Sequence, residues 1–139
     1  MQGDTPTPHS LVTPAFGTVT VDVRYRDIDA MGHVNNAVYA TYLETARAAL
    51  FTEHLDVALT NAPTLNASLR IDYHAPITCG DAIATNWAVE RVGRTSIPMT
   101  YAIRADGTDC ATATTVQVVI NAVSGAAVPV PKGTGSERW

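Results

Sequence analysis

Charge and cysteine are both scarce in this chain. Of its 139 residues only 16% are charged, with 9 Lys+Arg against 13 Asp+Glu and a net charge of −4. A nucleic-acid binder usually shows the opposite, a basic field or stripe. An anionic ligand would need a local basic cluster to attract it. The two cysteines, Cys79 and Cys110, have no CxxC partner. That argues against a disulfide framework or a zinc site, and points to reduced thiols in a cytoplasmic protein. No apolar run approaches the roughly 18 residues of a membrane span. The opening MQGDTPTPHSLVTPA has neither the basic start nor the apolar stretch of a signal peptide. Gly-x-Ser-x-Gly, a Walker loop and GxGxxG are all missing, which removes a serine-hydrolase elbow and nucleotide use.

What is present suits one domain, burying about two-thirds of its unfolded surface. Residues 1–15, rich in Pro and Thr, read as a mobile N-terminal arm. Residues 16–131 read as the domain, and 132–139 as a tail. Val19, Val21, Val23 and Tyr25 alternate with Thr20, Asp22, Arg24 and Arg26, the period of a half-buried strand. After a break at Gly32, Tyr39, Tyr42, Leu43, Ala46 and Leu50 form an apolar stripe of helical spacing. The predicted helix runs from Asn36 to about Glu53, capped by Asn35 or Asn36, with Glu44 and Arg47 paired outside.

The rest reads as strand. Leu65, Ala67, Leu69, Ile71 and Tyr73 alternate with polar residues, and strands follow over Ile83–Val92, Ile97–Ile103 and Cys110–Asn121. Gly93-Arg94 and Asp106-Gly107 are hairpin signals. Pro98 cannot donate to a ladder, so it marks an edge or a bulge. Tight turns force antiparallel pairing. The fold class is α+β, a curved five-stranded antiparallel sheet wrapped around one long helix. One helix covers one face, so dimerisation is expected to manage an open edge.

The densest polar cluster, Arg24 to Asn36, joins the first strand to the helix. The first amides of a helix have no internal partner and carry partial positive charge. They can hold the oxyanion of an attacked carbonyl, and a nearby carboxylate can attack or deprotonate water. Asp27 and Asp29 would face opposite ways on a strand, and these residues alone do not choose between them. Asp27-x-Asp29-x-x-Gly32 is not a calcium loop, because Met31 and Val38 stand where oxygen ligands belong.

Asp27-x-Asp29-x-x-Gly32-His33-Val34-Asn35-Asn36-x-x-Tyr39, then Leu43-Glu44-x-x-Arg47, resembles the hotdog-fold acyl-CoA thioesterases. It is most similar to the 4-hydroxybenzoyl-CoA thioesterase-like group. Tyr73-x-x-Pro76-x-x-x-Gly80-Asp81, Val92-Gly93-Arg94-Thr95-Ser96 and the Ser124-Gly125 turn extend the resemblance over about residues 17 to 131. It implies a hotdog fold and thioester hydrolysis without metal or organic cofactor. It also implies homodimers, often assembled into tetramers, with active sites at subunit interfaces. The catalytic role falls on Asp29 and the carbonyl-polarising amide on Asn36. His33 would orient Asp29 or touch substrate. The His-Val-Asn-Asn form is nearer the branch acting on long-chain acyl groups and acyl carrier protein.

Other readings stand beside these. Asp27 reads as structural, paired with Arg24 or Arg26 at a surface where such pairs contribute little. Asn35 is a cap first and a substrate contact second. Arg91, Arg94, Thr95 and Ser96 either grip coenzyme A phosphates or form an ordinary polar turn. Tyr39, Tyr42, Leu43 and Ala46 either pack as core or line an acyl tunnel. The leading substrate is a fatty or aromatic acyl-CoA. The alternatives are acyl carrier protein, an enoyl hydratase or dehydratase reaction using His33 and Asp29, and non-catalytic acyl-thioester binding.

Overall fold

A computed structural model describes residues 14–54 and 64–130. Strand β1 spans Ala15–Asp22, helix α1 Val38–His54, β2 Thr64–Tyr73, β3 Ala82–Val89, β4 Ser96–Ala105 and β5 Thr108–Val119. Residues 1–13 of the expected arm 1–15, and the whole expected tail 132–139, lie outside the described residues. β1 begins one residue before the expected domain start at 16.

All pairings are antiparallel and the order is β1-β3-β4-β5-β2. β3, β4 and β5 form a meander. Asp106 and Gly107 both take positive φ, 52° and 78°, and join Ala105 to its partner Thr108. That is the two-residue turn whose twist matches a hairpin. β1 and β2 flank the meander, so the chain crosses the sheet from one edge to the other through α1.

The helix forms where the stripe predicts. Tyr39, Tyr42, Leu43, Ala46 and Leu50 are all buried. They meet the inward residues of β3, β4 and β5, including Ile83, Trp87, Met99, Ile103, Ala111 and Val119. Outward residues of these strands alternate with them, the period-two signature. The Glu44–Arg47 pair forms at 3.4 Å. Two buried polar side chains are satisfied within the sheet: the Tyr101 hydroxyl bonds Thr115 Oγ1 at 2.7 Å, and the Gln117 amide donates to Asn66 at 2.9 Å. Among the described residues no helix is long and apolar enough to cross a membrane.

Two strands depart from expectation. β2 is not half-buried, because α1 approaches β1 and β3 most closely and β2 lies beyond β5 at the far edge. Leu65 stays 55% exposed and Leu69 44%. Pro98 lies on β4, which is central, rather than on an edge strand. Its placement still has a local reason: it pairs with Val116 of β5, whereas the ladder to β3 ends at Thr100. Pro98 therefore sits where β4 has one neighbour, and no bond to β3 is lost.

Candidate active site

The chain does not run straight on from β1. The Asp27 amide donates to Arg24 O at 2.9 Å and the Ile28 amide to Tyr25 O at 3.2 Å. This 3-10 turn over Tyr25–Asp27 breaks the parity of the strand. It turns Tyr25 outward, 88% exposed, against the expectation that it continue the inward face. It turns Asp27 inward, 2% exposed.

Asp27 is the only carboxylate buried among the described residues. The Arg24 amide donates to its Oδ2 at 2.9 Å, the Arg24 guanidinium to Oδ1 at 3.1 Å, and the Tyr42 hydroxyl to Oδ2 at 3.1 Å. Burial pushes this carboxyl up, but the Arg24 amide and guanidinium and the Tyr42 hydroxyl outweigh it and hold it below its ordinary value. Burial, and next the Asp27 carboxylate, push the Tyr42 hydroxyl far up, so it serves as a neutral donor. The expected ion pair thus forms with Arg24 rather than Arg26. It is no weak surface pair, because one of its members is sealed from water.

A tight loop follows. Ile28 and Val34 bridge antiparallel, the Asp29 amide donates to His33 O at 2.8 Å, and the Gly32 amide to Asp29 O at 3.0 Å. Gly32 takes φ +84°, a conformation costly for a residue with a Cβ. The reversal aims two amides at the Asp29 carboxylate. Oδ1 accepts from Met31 at 2.9 Å and from His33 at 3.2 Å. Oδ2 has no partner among the described residues. The loop is clamped from behind: the Val34 amide donates to Ile77 O at 2.8 Å, and His33 bridges Thr78. The Asp81 carboxylate in turn holds the Thr78 amide at 2.9 Å and its hydroxyl at 3.2 Å.

The helix entry comes next. The Asn35 amide donates to Asp27 O at 2.8 Å, and Asn35 Oδ1 accepts from the Ala37 amide at 2.9 Å. Asn35 is therefore the capping side chain. The Val38 amide donates to Asn35 O at 2.9 Å, the Tyr39 amide to Asn36 O at 3.4 Å, and the Tyr73 hydroxyl to the same Asn36 O at 3.0 Å. Within the run Asn35–Tyr39, the Asn36 amide alone has no acceptor among the described residues.

These features line one cleft of about 320 Å³. Asp29, Met31, His33, Val34, Asn36 and Tyr39 share it with Tyr73, His74, Ala75 and Pro76 at the end of β2. Tyr73 meets Tyr39 edge-on, with centroids 4.9 Å apart. His74 is held by Thr112 Oγ1 at 2.9 Å. Sequence reasoning did not assign Tyr73, His74 or Met31 to the site, although Tyr73-x-x-Pro76 was in plain view as a motif. Larger hollows of about 550 and 560 Å³ lie beside Phe16 and Trp87, and beside Arg70 and Thr114. Neither contains a helix start, and the carboxylate in the second, Asp72, is tied to Arg70 at 3.2 Å. Chemistry rather than size selects the smaller cleft.

Other candidate residues lie apart from this cleft in the single chain. Tyr42, Leu43 and Ala46 are buried core, the plainer of their two readings, and of the stripe only Tyr39 lines the cleft. The turn carrying Arg91, Arg94, Thr95 and Ser96 follows the end of β3, whereas Thr78, bridged to His33, precedes its start. That separates turn and cleft by roughly 23 Å at about 3.3 Å per residue. The turn's backbone is spent on structure: Arg94 O accepts from Val130 at 3.0 Å and Thr95 O from Val119 at 3.1 Å. Among the described residues no group of three or more His, Cys, Asp or Glu is placed to hold a metal ion.

A carbonyl seated in the cleft would meet an amide donor at the helix start and an uncommitted carboxylate oxygen. Comparison with known proteins gives the family. Residues 23–136 match the family model of the thioesterase-like superfamily. No curated protein matches the chain. Among solved structures it is similar to a thioesterase from Thermus thermophilus, determined with coenzyme A and Zn. The two share 35% identity at a TM-score of 0.75, over 82% of this chain and 90% of that one. A predicted thioesterase from Bacillus stearothermophilus is similar at 27% identity and TM-score 0.76, over 84% and 89%. The DHNA-CoA thioesterase of Staphylococcus aureus shares the fold, with 20% identity, TM-score 0.76 and coverage of 82% and 80%. The chain therefore belongs to the thioesterase-like superfamily, as a thioester hydrolase of the hotdog fold.

Proposed function

We propose that the chain hydrolyses fatty or aromatic acyl-CoA thioesters to the free acid and coenzyme A, in the cleft at the start of α1. The observation that carries this reading is the pairing of an uncommitted Asp29 oxygen with the unclaimed Asn36 amide. The thioester carbonyl lies against that amide, at the positive end of the helix, where an oxyanion is stabilised as it forms. Asp29 Oδ2 either attacks the carbonyl carbon, giving a mixed anhydride that water opens, or takes a proton from an attacking water. Coenzyme A leaves as a thiolate, so no strong acid is required. The acyl group lies along Met31, Tyr39, Tyr73 and Pro76, with His33 at the rim.

The active unit in this reading is a homodimer. β2 is a long edge strand with open ladder groups and exposed leucines, a surface that monomers rarely leave bare. Antiparallel pairing of two β2 strands about a two-fold axis reverses the partner's sheet. The far end of the partner's β3 then falls on the side of this chain's cleft. Arg91, Arg94, Thr95 and Ser96 of a second copy supply the phosphate contacts that the single chain lacks. Cys79 and Cys110 are unpaired, in keeping with a reducing cytoplasm.

The test is thiol release from acetyl-, hexanoyl-, palmitoyl- and benzoyl-CoA, with product analysis. Release of coenzyme A with formation of the free acid is expected, and the relative rates rank the acyl group. Hydration of an enoyl-CoA with the thioester intact would overturn hydrolysis in favour of a hydratase. Binding of every acyl-CoA without turnover would overturn it in favour of a passive binder.

A further inference from the structure

A buried carboxylate needs a reason, because sealing a charge from water is costly unless donors surround it. Asp27 has those donors, and they tie together three separate parts of the chain. Its side chain takes the Tyr42 hydroxyl from the second turn of α1, and the Arg24 amide and guanidinium from the entry to the 3-10 turn, two residues beyond β1. Its carbonyl takes the Asn35 amide at 2.8 Å, on the returning arm of the loop. Two residues beyond Asp27 on the outgoing arm stands Asp29. One residue beyond Asn35 stands the Asn36 amide. Asp27 thus sits at the base of the loop that carries the carboxylate on one arm and the amide donor on the other.

We propose that Asp27 is a positioning residue for the hydrolysis: through the Tyr42 hydroxyl it locks this loop to α1, and so fixes Asp29 relative to the Asn36 amide. The proposal rests on the reading of Asp29 and Asn36 given above. Its physical basis is tolerance. Reacting groups must be held to about half an ångström, and a misplacement of about one ångström can cost on the order of a hundredfold in rate. The Tyr42–Asp27 bond is the side-chain hydrogen bond joining that loop base to the helix that presents the amide. Neither Asp27 nor Tyr42 lines the cleft, so their loss should act on turnover rather than on substrate binding.

The test uses the full chain and the acyl-CoA of the panel that the wild type cleaves fastest. Tyr42→Phe removes one hydroxyl and keeps the ring in the core. It should lower kcat about tenfold, with KM within about twofold. Asp27→Asn keeps one oxygen acceptor and should fall between wild type and Asp27→Ala. Tyr101→Phe is the control, since it removes an equally buried hydroxyl, bonded to Thr115 at 2.7 Å. It should lower the thermal midpoint about as far as Tyr42→Phe and leave kcat unchanged. In an Asp29→Asn background, Tyr42→Phe should change the residual rate by less than about twofold, because the group it positions is gone. The proposal is overturned if Tyr42→Phe and Asp27→Asn keep wild-type kcat while Asp29→Asn is inactive. It is also overturned if Tyr101→Phe slows turnover as much as Tyr42→Phe does. An Asp29→Asn variant as active as wild type would instead overturn the reading of Asp29, and the positioning role with it.

Discussion

Replacing Asp29 with Asn should lower kcat for acyl-CoA hydrolysis by about a thousandfold or more and leave the fold intact. Removing one oxyanion donor typically costs ~100- to 1000-fold, and the attacking or proton-accepting group contributes at least as much. The substitution is well suited to the geometry. Asparagine keeps Oδ1, the atom that accepts from Met31 and His33. The loop with Gly32 at its turn therefore persists. What is lost is Oδ2, the oxygen with no partner among the described residues, replaced by an amide nitrogen that can neither attack nor take a proton. Thiol release, read beside circular dichroism and the thermal midpoint, separates this from unfolding. A variant that retains a tenth or more of the wild-type rate would remove Asp29 from the chemistry, whatever the fold.

Leu69→Lys should convert a dimer into a monomer and take most of the activity with it. Leu69 stands near the middle of β2, 44% exposed, on the strand that α1 leaves uncovered. At the centre of a two-fold strand pairing each lysine would meet its symmetry mate, and like charges directly opposite are unfavourable. Light scattering should give two chains of 14.7 kDa for wild type and one for the variant. The loss in kcat/KM should be about 10- to 100-fold, because each charge-assisted hydrogen bond to a phosphate is worth about 1.5–3 kcal/mol. Arg91 and Arg94 would no longer reach the cleft, being roughly 23 Å from it in their own chain. A wild type that is monomeric at micromolar concentration and fully active would contradict both the dimer and the shared site.

The sequence made the helix, the meander and the turn between β4 and β5 legible, because each depends on local periodicity or turn chemistry. The stripe from Tyr39 to Leu50 and the pair Asp106-Gly107 contain their own explanation. β2 did not, because Leu65, Leu69 and Ile71 alternate as any half-buried strand does, and nothing local says which layer covers them. The two aspartates show the same limit. Asp27 and Asp29 are equivalent in a strand reading, and their separation depends on a 3-10 turn and on Tyr42, fifteen residues away. Asp29, Gly32, His33 and Asn36 were legible as a loop before a helix. The other wall of the cleft, Tyr73 and His74, was not, since only the sheet order brings the end of β2 to the helix start.

The central claim is the place where the thioester binds, and amide chemical shifts address it most directly. A non-hydrolysable hexanoyl-CoA, with a methylene in place of the thioester sulfur, keeps the carbonyl and cannot turn over. Added to the isotopically labelled wild-type protein, it should move the Asn36 amide proton downfield, as a new hydrogen bond forms, and shift its neighbours Asn35 and Ala37. An unmoved Asn36, with shifts instead around Phe16, Asn86 and Thr100 on the outer face of the sheet, would contradict the account and place the ligand in a larger hollow.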